Sequence, residues 1–104
     1  MDSFFSDFLM FGKLEREFSC NTVLAYKNDL QQLKSWLEEK GIGLEKVNYQ
    51  DLTEFLIQKK LAGYQFSSIA RALFCFRMFF TWLVGEKVRE DNPAELLESP
   101  RLWS

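Results

Sequence analysis

Ser67, Ser68 and Arg71 fall together at the head of a long apolar helical pattern. Hydroxyls, the open backbone N–H groups of a first helical turn and a guanidinium are the groups that bind phosphate. Other chemistry is poorly provided for. The chain has no histidine and two widely separated cysteines, Cys20 and Cys75, so the usual nitrogen and sulfur ligands of zinc are missing and no metal site is expected. Lack of histidine also removes any Ser-His or Cys-His nucleophile pair. The five glycines form neither a phosphate-cradling loop nor a dinucleotide fingerprint, so no cofactor is expected. Tyr26, Tyr49 and Tyr64 match no nucleophile motif, and no residue is assigned a catalytic role.

A net charge of −2 runs against nucleic-acid binding when taken as a sum, because such domains usually carry a basic excess that displaces counterions from phosphate. Distribution modifies that argument. Between Phe55 and Val84 the charged residues are Lys59, Lys60, Arg71 and Arg77, with no Asp or Glu, so one part of the surface can be positive while the whole is not.

The elements that must position these groups read as helices throughout. A chain of 104 residues suits one hydrophobic core, and with 47% apolar residues, eleven of them Phe, there is ample material for it. Both cysteines lie in or beside apolar helical patterns and read as reduced thiols of a cytosolic protein. The first stretch, Ser3 to Glu17, is apolar on several faces through Phe4, Phe5, Phe8, Leu9, Met10, Phe11 and Leu14. It carries an acid and lacks a basic leader, so it is expected to be neither a signal peptide nor a membrane span. A helix of that kind lies deep in a core or docks on a partner.

A second helix is expected from Ser19-Cys20-Asn21 to Lys40, stopped by Gly41, with Val23, Tyr26, Leu30, Leu33 and Leu37 as its core stripe and Lys27, Gln31 and Lys34 along one border. The third starts at Asn48, with Asp51 completing a capping box and Val47 stapled to Leu52, and ends near Gly63. Leu52, Phe55 and Leu56 form its buried face, while Lys59 and Lys60 suit the negative end of the helix dipole. The fourth is predicted from Ser67-Ser68, which supply its cap, to Gly85. Its core residues are Ile69, Leu73, Phe76, Phe80 and Leu83, and Phe74, Met78 and Trp82 make its other side apolar, so only its ends should reach solvent. Asn92-Pro93-Ala94-Glu95 predicts a short fifth helix. Residues 99–104 read as an extended start of a linker, which sets the domain at 1–98.

In order and spacing, these segments resemble the N-terminal, core-binding domain of the tyrosine recombinases, or phage-integrase family, most closely its Xer type. The carrying residues are Ser19 to Thr22 and on to Tyr26, Asp29-Leu30, Trp36-Leu37, then Ser67-Ser68-Ile69 with Arg71, Leu73, Arg77, Phe80 and Leu83. Glu86 to Pro93 and Ser99 to Leu102 look especially Xer-like. The resemblance implies an all-α, SAM-like bundle of four to five helices that clamps one face of duplex DNA, its second and fourth helices against the major groove. It further implies that strand cleavage and rejoining belong to a C-terminal catalytic domain outside this chain. The first and last helices would join recombinase protomers into a homo- or hetero-tetramer, in the cytoplasm, and chromosome-dimer resolution is the Xer-type expectation.

On that reading Arg71 contacts phosphate or guanine, with Ser67 and Ser68 beside it, and Asn21, Thr22 and Lys27 contribute from the second helix. Arg77 is either a further DNA contact or one half of a structural ion pair. The alternative is a helical protein–protein interaction module that binds no DNA and uses the first helix and the acidic surface.

Overall fold

The computed structural model describes residues 2–98 and folds them into α1 (Asp2–Glu15), α2 (Cys20–Lys40), α3 (Tyr49–Leu61) and α4 (Phe66–Gly85), with no strand among the described residues. The linker expected over 99–104 lies outside them. Local signals start two of the helices. Ser19 Oγ accepts from the Thr22 N–H at 3.1 Å, and Asn48 and Asp51 exchange the two bonds of a capping box at 2.8 and 3.0 Å. A cap of this kind contributes about 1 kcal/mol.

Helices α2, α3 and α4 all end in the same way, with one left-handed residue and paired N–H bonds back into the last turn. At α2 the Gly41 N–H donates to Glu38 and the Ile42 N–H to Leu37; Gly63 with Tyr64 repeats the pattern on α3. In α4, however, Gly85 stays within the helix, and the left-handed position falls on Lys87, at φ 62°. Helix α1 also closes two residues short of expectation, with Glu17 at φ 56° and the Phe18 N–H donating to the Gly12 carbonyl. Gly12 lies against the Phe18 ring, where a Cβ would stand 2.1 Å from the nearest ring carbon.

Helix α4 is central. Ile69, Leu73, Phe76, Phe79, Phe80 and Leu83 are all buried. On one side the rings of Phe5 and Phe8 from α1 meet Phe79 at 5.2 and 5.3 Å. On the other, Phe55 of α3 bridges Trp36 of α2 and Phe76 at 5.6 and 5.8 Å. Among the described helices α4 alone is long and apolar enough to cross a membrane, and this packing accounts for its apolarity. Its outer side is not wholly covered, contrary to expectation: Phe74 is 55% exposed in mid-helix, between the half-buried Arg71 and Arg77.

The fifth helix does not form. Asn92 Oδ1 accepts from the Ala94 N–H two residues on, and its amide nitrogen reaches back to the Arg77 carbonyl and to Thr81 Oγ1 at 3.2 and 2.9 Å. Arg77 returns the contact, Nε donating to the Ala94 carbonyl at 3.3 Å and Nη2 to that of Leu97. These side-chain bonds compete with a helical ladder and leave a tight turn pinned across α4. Ala94 and Leu97 nonetheless enter the core.

Candidate nucleic-acid interface

The α4 start sits one residue earlier than expected. Gln65 occupies the cap position without a side-chain bond, and Phe66 is the first helical residue. Ser67 and Ser68 are therefore not the cap: they lie inside the first turn, Ser67 exposed and Ser68 half-buried. No acidic residue stands in the first turn of α4 or of α2, so both termini keep the positive end of their dipoles uncompensated locally.

Arg71 follows Ser67 by four residues and so shares its face. Its guanidinium is held by Asp29 of α2, Nε to Oδ2 at 3.0 Å and Nη2 to Oδ1 at 2.8 Å. The carboxylate side chain is 1% exposed and the arginine 39%, so the pair is anchored at its acidic end and open at its basic end. The hydrogen bond that Arg71 donates to Asp29 outweighs desolvation and raises the Arg71 pKa. Sequence reasoning noticed Asp29 only as part of a family resemblance. The available signal was an acid directly flanking the Leu30–Leu33 core stripe.

Beside this pair lies a second arrangement that the sequence did not suggest. Lys59, expected in the last turn as a complement to the helix dipole, is buried; its Nζ donates to Gln32 Oε1 and stands 3.8 Å from the centre of the Tyr64 ring. Burial lowers the pKa of its ammonium. Three of the four basic residues between Phe55 and Val84 thus meet acceptors within the fold, Lys59 on Gln32, Arg71 on Asp29 and Arg77 on main-chain carbonyls, while Lys60 is exposed.

The expected site residues separate into groups. Thr22 lies seven residues before Asp29, within about 20° of it around α2 at ~100° per residue and two turns toward the helix start. Its hydroxyl accepts from Ser19 Oγ at 2.9 Å, and Asn21 next to it is exposed. Lys27, about 200° from Asp29 by the same reckoning, faces α1, where it lines a hollow with Phe5, Ser6 and Leu9. Arg77 points to the 92–97 turn rather than toward Arg71, and takes carbonyl oxygens in place of the carboxylate of an ion pair. Ser67, Ser68 and Arg71 share one side of α4, and Thr22 lies along the Asp29 line of α2.

Cys75, buried under this surface with Sγ 3.9 Å from the Tyr26 carbonyl, has its thiol pKa pushed well above the ordinary value, by burial first and Asp29 second. The unfolded thiol ionises near pH ~8.5 while the folded one keeps its proton. Stability should therefore fall above that pH by up to about 1.4 kcal/mol per unit until the folded pKa is reached. Tyr26, also raised by burial, acts with the same sign, and Lys59, lowered by burial, with the opposite one. Urea unfolding at pH 8 and pH 10 is expected to show a smaller loss for Cys75→Ala than for the parent chain.

Residues 5–87 match the family model described as phage integrase, N-terminal SAM-like domain. The chain is 42% identical over 89 residues to tyrosine recombinase XerD of Yersinia pestis, covering 86% of this chain and 30% of that protein. It is 38% identical over 95 residues to tyrosine recombinase XerD of Chlorobaculum tepidum, covering 91% and 31%, and 40% identical over 101 residues to that of Haemophilus ducreyi, covering 97% and 34%. The chain spans about a third of the length of these relatives.

Proposed function

Because this chain belongs to the phage integrase N-terminal SAM-like domain family, we propose that it is the DNA-clamping domain of a site-specific tyrosine recombinase. It grips duplex DNA while a C-terminal domain cuts and rejoins the strands. The observation that carries this reading is the cluster at the α4 start: an acid-free helix terminus, two serines in its first turn and a half-exposed arginine fixed from beneath. Phosphate is the ligand those groups suit. Ser67, Ser68 and Arg71, with Asn21 and Thr22 at the α2 start, form the contact surface in this proposal. Lys27 and Arg77 play lesser parts, Lys27 because it faces α1 and Arg77 because its guanidinium is already engaged.

Recombinase protomers are the second proposed partner. Met10 and Leu14 of α1 are 57% and 71% exposed, an apolar excess that suits a contact with a neighbouring protomer on DNA. That excess is also what favours the rival reading, a helical protein-interaction module. A cytoplasmic role in chromosome-dimer resolution fits the Xer-type relatives.

Fluorescence anisotropy with a labelled duplex carrying a recombination half-site separates the two readings. The expected result is binding that weakens with salt. At ~0.9 counterions per phosphate, about three contacts would lower affinity roughly forty-fold between about 50 and 200 mM salt. Absence of binding at low salt would remove the DNA reading and favour the interaction module.

A further inference from the structure

We propose that Asp29 is a positioning residue for DNA recognition: it holds Arg71 by one edge so that the rest of the guanidinium faces DNA in a fixed orientation. This inference rests on the DNA-binding reading and adds to it the residue that sets the geometry.

A guanidinium has five N–H donors, and the bidentate pair with Asp29 uses the bonds from Nε and Nη2. What remains belongs to the outer part of a side chain that is 39% exposed, above a carboxylate that is 1% exposed. A free arginine loses much rotamer freedom on binding, whereas one already clamped loses little. The clamp lies in a crowded neighbourhood. Lys59 and Tyr26 lie close enough to interact electrostatically with Asp29 and Arg71, and the buried Cys75 thiol of α4 stands 3.9 Å from the Tyr26 carbonyl of α2.

Charge and positioning make opposite predictions for this acid. As a mere negative charge near DNA, Asp29 repels phosphate, and its neutralisation should tighten binding. As a clamp it organises the contact, and its neutralisation should weaken binding even though the chain becomes less acidic. Asp29→Asn is expected to bind the labelled duplex about tenfold more weakly than the parent at equal salt, with the salt slope unchanged, because Arg71 keeps its charge. Arg71→Lys, which keeps the charge but loses the fork, should show a similar loss. The double variant should be little worse than either, because both changes break one unit.

Circular dichroism at the assay temperature establishes that each variant is folded. A folded Asp29→Asn chain that binds as well as the parent or better overturns the proposal, as does additivity in the double variant. If Asp29→Asn does not fold, Arg71→Lys decides: parental affinity overturns the proposal and a tenfold loss supports it. A parent chain that binds no duplex DNA overturns instead the reading on which this one stands.

Discussion

Arg71→Ala is expected to lower unfolding free energy by about 3 kcal/mol, a larger loss than surface arginines show, because it strands the Asp29 carboxylate in the core without its partner. The lower end of the range for broken buried pairs applies, since the arginine end is partly exposed and water can enter beside it. Thermal and urea unfolding of Arg71→Ala, Asp29→Leu and the double variant measure the effect. The double variant is expected to recover part of the loss, because removing both charges leaves nothing unpaired. A loss under 0.5 kcal/mol in Arg71→Ala would mean that the pair contributes no more than an exposed one.

Phe79→Ala is the most damaging core truncation expected. Phe79 is fully buried at the centre of the aromatic cluster, against Phe5, Phe8, Phe80 and Trp82 with ring centroids 5.2 to 6.3 Å apart. Removing such a ring costs about 3–5 kcal/mol in transfer free energy and residual cavity. Domains of this size have total stabilities of about 5–15 kcal/mol, so the variant should melt roughly 15–30 °C lower or fail to fold. Phe74→Ala, five residues earlier on the exposed side of α4, is the control and should change stability by no more than about 0.5 kcal/mol.

Those two phenylalanines mark where sequence reasoning succeeds and fails. Spacing three and four apart identified Leu30, Leu33, Leu37, Ile69, Leu73, Phe76, Phe80 and Leu83, all buried, because a stripe of that period has one way to face a core. A helix that is apolar all round offers no such contrast, so the spacing assigned Phe74 to a covered face and left Phe79 off both stripes, and only packing separates them. Caps were readable at Asn48 and Ser19 because their partners are three residues away. The α4 start was not, since Gln65 caps with backbone alone and two serines inside the turn imitate a cap.

The candidate site was readable in outline only. Ser67, Ser68 and Arg71 announce an anion-binding chemistry by residue type. Asp29 is 42 positions from Arg71 and Gln32 is 27 from Lys59, and no local pattern joins residues so far apart. Charge counting missed the internal partners for the same reason. A run of basic residues without acids does not reveal that the fold supplies acceptors for three of them, which here come from α2 and from the carbonyls of the 92–97 turn.

That turn bears on where a minimal fragment can be cut. The family match stops at residue 87 and regular helix at Gly85, yet a chain shortened to either point would lose Ala94 and Leu97 from the core, along with the acceptors of Arg77. It would also lose Arg89, whose guanidinium lies over Phe80 and donates to the Leu44 carbonyl at 2.9 Å. Truncation there exposes apolar surface and leaves both Arg77 and the Leu44 carbonyl without these partners, so an expression boundary belongs beyond Leu97, although no helix marks the place.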